Sequence, residues 1–236
     1  MPLLETAGLS RAFGSLVAVD GVDVSVAAGE IRAVIGPNGA GKTVFLHLLS
    51  GLLPPSGGRI RLEGAEITRL DVVARVRRGI TRSFQITNLF PNLTVAENVR
   101  LAAHGPARVP EVLALVGLGP VAALYPPQLA HGDQRHLEIA LALAPGPRLL
   151  LLDEPTAGMS LGETGRTAAL IRTINRETGV TIVIVEHDMR VVLEVAHRIT
   201  VLDHGRVLAE GAPGEVAADP RVRTAYLGQG RRAAGL

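Results

Sequence analysis

The chain has 236 residues, 47% of them hydrophobic, enough for one domain with a substantial buried core. Its 24 basic and 22 acidic side chains leave a formal charge of only +2, and aromatics make up 3%, so neither a basic field nor a row of stacking platforms argues for nucleic acid. Cysteine is absent, which excludes disulfides and thiolate metal sites and suits a reducing cytoplasm.

The stretch Met1 to Gly14 has neither the basic start nor the apolar core of a signal peptide, and the longest apolar runs are too short to cross a bilayer. A soluble chain is expected, one that would reach a membrane only through partners. Asp23 to Val26 and Ile31 to Ile35 flank the turn Ala27-Ala28-Gly29-Glu30 and predict an antiparallel pair leading into a glycine-rich loop. A helix follows Gly41, with Val44, Phe45, Leu48 and Leu49 on its apolar face, a stop at Gly51 and Pro54-Pro55 beyond. Arg59 to Leu62 and Ile80 to Phe84 predict further strands. Arg75, Arg77, Arg78 and Arg82 read as a solvated basic face.

From Leu93 to about Ala144 the pattern is mostly helical, interrupted at Gly105-Pro106, Gly119-Pro120 and Pro126-Pro127, and reads as an insertion. Leu149 to Leu152 and Val180 to Val185 are continuous apolar runs, as expected of parallel strands buried on both faces. Ile199 to Leu202 and Arg206 to Ala209, joined through Asp203-His204-Gly205, predict a closing hairpin. No internal repeat stands out, and the polar tail Gly228 to Leu236 is expected to fray. Strands alternating with helices predict an α/β fold around a largely parallel sheet.

Two segments carry chemistry. Gly36-Pro37-Asn38-Gly39-Ala40-Gly41-Lys42-Thr43 fits the G-x-x-x-x-G-K-[ST] loop, whose backbone N–H groups cradle phosphates while the lysine reaches the β- and γ-phosphates. Lys42 is the only lysine, against 23 arginines. A compact ammonium fits inside a loop wrapped around phosphate, whereas the planar guanidinium fork does not. Second, the apolar run Leu149 to Leu152 ends in Asp153-Glu154. A carboxylate at the C-terminal end of such a strand can face the Mg²⁺ shell of a bound nucleotide, and its neighbour can reach the attacking water. Nucleoside triphosphate binding is the expected activity.

Together with Gln85, Leu129 to Ala140, Leu149 to Gly158 and Val185-Glu186-His187-Asp188-Met189, these segments resemble, in order and spacing, the ATPase subunits of ATP-binding-cassette (ABC) transporters. The likeness runs end to end and is strongest to the LivG-type subunits of branched-chain amino acid importers, where the middle motif lacks the usual Ser-Gly and the tail carries a segment like Arg223 to Gly228. It implies a P-loop NTPase core with an N-terminal antiparallel β subdomain and a short helical subdomain at about residues 88–145, all within one domain, 1–236. Phe13 would stack on adenine, although a lone Phe is more often core. Gly36 to Thr43 would wrap the phosphates, Thr43 would ligate Mg²⁺, and Gln85 would touch the metal or the water. Asp153 would hold the metal shell, Glu154 would orient or deprotonate water, and His187 would contact the γ-phosphate. Ala130, His131, Gly132 and Asp133, at the start of a helix over Gln134 to Leu143, would close as a free anion-binding end over the partner's ATP, and Ala157 to Ser160 would touch the other subunit.

The implied partners are transmembrane permease subunits, a second ATPase subunit and, indirectly, a solute-binding protein, with the chain peripheral on the cytoplasmic face of the cell membrane and no nucleic acid. Three departures stand out. Val44 replaces a common hydroxyl residue and predicts modestly weaker ATP binding, Ala130 and His131 replace Ser and Gly, predicting the weaker of two composite sites, and Leu141 in a short helical insertion stands where Arg is common. A soluble ABC ATPase acting on DNA or ribosomes, and a nucleotide switch that scarcely hydrolyses, are the alternatives. The lack of paired cassettes or long insertions opposes the first, Glu154 and His187 the second.

Overall fold

A computed structural model describes residues 2–83, 89–103, 105 and 108–230, with side chains to residue 225. The chain opens with two long strands, β1 (Pro2–Phe13) and β2 (Leu16–Ala27), followed by β3 (Ile31–Ile35), α1 (Lys42–Ser50), β4 (Gly57–Leu62), the two-residue β5 (Ala65–Glu66), α2 (Val72–Arg77) and β6 (Ile80–Arg82). Helices α3 (Val95–Ala102), α4 (Arg108–Leu115) and α5 (His131–Leu143) come next, with two short 3₁₀ turns between α4 and α5. The remainder alternates: β7 (Leu149–Asp153), α6 (Leu161–Thr178), β8 (Thr181–Val185), α7 (Met189–Val195), β9 (Arg198–Asp203), β10 (Arg206–Gly211), α8 (Pro213–Ala218) and α9 (Pro220–Gly230).

Two sheets form. One is antiparallel, in the order β2-β1-β4-β5; the other runs β10-β9-β3-β8-β7-β6, parallel except for the β9–β10 hairpin at its edge. The α/β class and the hairpin agree with expectation. The expected pairing across Ala27 to Glu30 does not occur. β2 pairs with β1, and β3 enters the other sheet between β8 and β9. The turn between them hands the chain from one sheet to the next, because β3, apolar but for Arg32 and buried along its whole length, is stable only where both its faces are covered.

The side chains of the parallel strands divide by parity. Leu150 and Leu152 of β7 and Ile182 and Ile184 of β8 face a core shared with α5, α6 and α7. Leu149, Leu151, Val183 and Val185 face a second core, built with α1 and the antiparallel sheet. Asp153 is two residues beyond Leu151, so the pleat puts it on the α1 side. This period-two rule is what brings the strand-end carboxylate to the phosphate loop.

The basic cluster is a solvated face only at Arg77 and Arg78, which are exposed; Arg75 and Arg82 are not. Arg75 is only 1% exposed and donates to the carbonyls of Leu48, Leu49, Thr68 and Leu70, taking up orphan acceptors at the end of α1. Its burial pulls its pKa down to about 10. Arg82 is buried as well, on Asp153. Helix periodicity makes charges spaced like these look exposed, but α2 has only six residues and turns Arg75 inward. The tail is helical to Gly230, beyond the expected point of fraying. Among the described residues no helix is long and apolar enough to cross a membrane.

Candidate nucleotide site

β3 ends at Ile35 and the loop Gly36 to Gly41 delivers the chain to α1. Close packing dictates its glycines. A Cβ on Gly36 would sit 2.0 Å from the Leu202 carbonyl oxygen, and one on Gly41 would sit 2.2 Å from that of Ala18. Gly41, the residue preceding α1, has φ 96°, a left-handed conformation that glycine adopts without strain. Asn38 and Gly39 are exposed, Pro37 is half-buried and Ala40 is buried, its carbonyl accepting from Gly205 N–H at 3.1 Å. Gly205 in turn accepts from Asp20 N–H at 2.8 Å, so the β9–β10 turn and β2 brace the loop.

Lys42 is 5% exposed, and its Nζ donates to the carbonyls of Gly36 (2.7 Å) and Pro37 (3.0 Å). The ammonium is thus curled into its own loop, where an anion would replace the two carbonyls. Burial lowers its pKa, against the opposing fields of Glu154 and Asp153. Thr43 and Val44 are half-buried in the first turn of α1.

Opposite the loop, Asp153 is 1% exposed, with Oδ2 bonded to Arg82 Nη2 at 2.7 Å and Oδ1 buried without a partner among the described residues. Such an orphan acceptor beside Thr43's helix fits the water shell of a hard divalent cation. No group of three or more His, Cys, Asp and Glu among the described residues could hold a metal by itself, so the cation would need phosphate oxygens to complete its shell. Glu154 has φ 48°, rare for a non-glycine residue, while its N–H donates to the Val185 carbonyl at 2.9 Å. This conformation turns its carboxylate out of the strand, where Oε1 lies 2.7 Å from His187 Nε2.

Glu186 was not singled out from the sequence. Buried at the end of β8, it accepts from Thr156 N–H (3.0 Å) and Thr156 Oγ1 (2.6 Å) through Oε1, and from His187 N–H (3.0 Å) through Oε2. One carboxylate therefore clamps the loops after β7 and β8, which carry Glu154 and His187. Its signal was available: like Asp153, it is an acid directly after a run of four apolar residues. Arg82 had no comparable signal.

Phe13, at the tip of the β1–β2 hairpin, is 42% exposed, and the Arg11 guanidinium carbon lies 4.6 Å from its ring centroid. It is not core, and the same hairpin carries Ala18, whose carbonyl abuts Gly41. α5 starts at His131 rather than Gln134, with Ala130 and His131 exposed, Gly132 buried and Asp133 half-buried. No side chain caps the helix at Ala130. The Glu163 carboxylate, whose Oε2 serves the capping box of Ser160 at the start of α6, lies beside Gly132, 3.2 Å from where a Cβ would sit. Ala157 to Ser160 lie alongside, with Gly158 facing the His131 ring. Gln85 lies outside the described residues. Lys42, Asp153, Glu154 and His187 thus come together around the loop, whereas Ala130 to Asp133 belong to a separate surface.

A family model described as ABC transporter matches residues 19–157, and one described as branched-chain amino acid ATP-binding cassette transporter matches residues 206–231. The chain is 38% identical to the high-affinity branched-chain amino acid transport ATP-binding protein BraF of Pseudomonas aeruginosa and 37% identical to LivG of Escherichia coli, covering 97% of this chain and 98% of each relative. It is similar in structure to the ADP conformation of MJ1267, an ATP-binding cassette of an ABC transporter, with a TM-score of 0.88 at 27% identity over 97% of this chain and 99% of that one. The dimeric bacterial ABC transporter cassette MJ0796 matches with a TM-score of 0.77 at 28% identity over 89% and 98%. The loop, the strand-end acids and these likenesses agree: the chain belongs to the ATP-binding, ATP-hydrolysing subunits of ABC transporters.

Proposed function

We propose that this ATPase energises an importer of branched-chain or related amino acids, as part of a complex with membrane-embedded permease subunits and a second ATPase subunit, served by a solute-binding protein. The names of its relatives and the matching C-terminal segment support that substrate class. The observation that carries the chemistry is the Glu154–His187 pair, 2.7 Å apart, opposite the phosphate loop. With ATP in the loop, Lys42 leaves its two carbonyls for the β- and γ-phosphates, and the N–H groups of Gly39 to Thr43 meet the remaining oxygens. Thr43 and Asp153 would hold Mg²⁺, which when bound would neutralise phosphate charge. Glu154 orients the water and takes its proton, and His187 supports both Glu154 and the γ-phosphate. Phe13 offers its exposed ring to adenine.

The chain works as one cassette whose helices between about 88 and 145 face the permease at the cytoplasmic surface of the membrane. An apolar groove of about 320 Å³, lined among others by Leu52, Val72, Val76, Ala102 and Leu141, supports that docking, since it joins α1, α2 and β6 to α3 and α5. Leu141 makes this wall apolar where a cation is more usual. The Glu154–His187 contact favours hydrolysis over a purely switching role.

The test is the assembled transporter in proteoliposomes. Wild type is expected to accumulate radiolabelled leucine with Mg²⁺-dependent ATP turnover, and Glu154→Gln to lose about a hundredfold or more of that turnover while still binding ATP. Turnover unaffected by Glu154→Gln would refute the mechanism, and ATP-driven uptake confined to other solutes would refute the substrate class.

A further inference from the structure

Arg82 closes β6 with a guanidinium whose one hydrogen-bond partner among the described residues is Asp153 Oδ2, at 2.7 Å. Its Nε and Nη1 are buried with no hydrogen-bond partner among the described residues, as is Asp153 Oδ1. The two side chains are 8% and 0% exposed. A buried ion pair offsets its desolvation only when its remaining donors and acceptors are also satisfied, and here three polar atoms are not. Such a half-satisfied pair suits a resting state that another state completes.

The surroundings point the same way. The other cation near this carboxylate, Lys42, donates to the carbonyls of its own loop. His47, within the fields of both Arg82 and Asp153, has its pKa lowered, chiefly by burial. Of the cations around Asp153, Arg82 is therefore the one bonded to it. It also has somewhere to go, because with Thr81 and Ser83 it forms a wall of the 320 Å³ groove that Glu138 lines too.

We propose that Arg82 is the internal counter-ion of Asp153, that it and the nucleotide-bound divalent cation compete for this carboxylate, and that metal binding releases the guanidinium toward the groove. This rests on the reading of Asp153 as part of the metal shell. Linkage is reciprocal: whatever holds Arg82 in the groove strengthens metal binding, and metal binding frees Arg82 for the groove. A residue that merely oriented Asp153 for the metal would act with the opposite sign.

The experiment measures Mn²⁺ binding to the isolated subunit at saturating ADP by electron paramagnetic resonance, with melting temperatures in EDTA and in Mn²⁺. Arg82→Met is expected to bind Mn²⁺ about tenfold more tightly than wild type, to melt lower in EDTA and to gain more on adding metal. Arg82→Lys, which keeps the charge, should remain near wild type. If Arg82→Met does not fold, Arg82→Gln, whose amide can still donate to Asp153, carries the same expected sign. Unchanged or weaker Mn²⁺ binding in a folded neutral variant overturns the proposal. Asp153→Asn separates the two readings. If it leaves Mn²⁺ binding intact, the metal-shell assignment and the counter-ion fall together; if it weakens binding while the neutral Arg82 variant does not tighten it, only the counter-ion falls.

Discussion

Replacing Glu186 by Gln changes one buried side chain without changing its volume. The carboxylate accepts three hydrogen bonds, two from Thr156 and one from the His187 amide. A glutamine can give its carbonyl oxygen to Thr156, but its NH₂ then faces the His187 N–H, donor against donor. One charge-assisted bond is lost, about 1.5–3 kcal/mol, and the other two fall to neutral strength, so about 3–5 kcal/mol of stability should disappear. The functional loss should be selective. Freed from its anchor, the loop carrying His187 no longer fixes the ring against Glu154, and a misplacement of about 1 Å costs roughly a hundredfold in turnover. ATP affinity should stay within about threefold, because the phosphate loop between β3 and α1 makes no bond to Glu186. Urea denaturation gives the stability term, equilibrium binding of a fluorescent ATP analogue the affinity, and phosphate release by the assembled transporter the turnover. A folded Glu186→Gln variant with wild-type turnover would refute the clamp.

Three further outcomes are expected. Gly41→Ala should abolish ATP binding or folding, since its Cβ would meet the Ala18 carbonyl oxygen at 2.2 Å, whereas Gly39→Ala, with nothing within 4 Å, should fold with a loss of only about 1–2 kcal/mol from its positive φ; circular dichroism melts separate the two. Val44→Thr should tighten ATP binding by about 1 kcal/mol, roughly fivefold, by adding a hydroxyl in the first turn of α1, measured by calorimetric titration. His136 is held by Thr167 at 3.1 Å, and burial lowers its pKa below 6.5, as burial also does for His47. The unfolded chain then binds more protons than the folded one just below pH 6.5, so stability should climb with pH up to 6.5, level off above it and fall on acidification. The urea midpoint of His136→Gln should drop less than that of wild type between pH 7 and about pH 5.5.

Where the polypeptide reports its fold locally, the sequence was legible. The spacing of Gly36, Gly41, Lys42 and Thr43, the stop at Gly51 and the apolar runs ending at Asp153 and Val185 could all be read from residue types a few positions apart. Reading them needed no knowledge of what lies across the molecule, although it is the distant Leu202 and Ala18 carbonyls that leave no room for a Cβ on Gly36 and Gly41. Pairing between strands is different. The turn before β3 looks like any hairpin turn, and only the burial of both faces of β3 by distant helices sends it into another sheet. Charge posed the same difficulty: Arg75 and Arg82 belong to one arginine run, yet a helix end swallows the first and a carboxylate 71 residues away holds the second.

The sequence by itself thus singled out the residues suited to phosphate chemistry, because phosphate loops and strand-end acids are short and their chemistry admits few residue types. Only tertiary structure decided which charges are paired. It put Glu163 beside the start of α5, Glu186 between the loops after β7 and β8, and Arg82 on Asp153. A charge buried by folding must find its partner in space, and nothing in the order of residues names that partner beforehand.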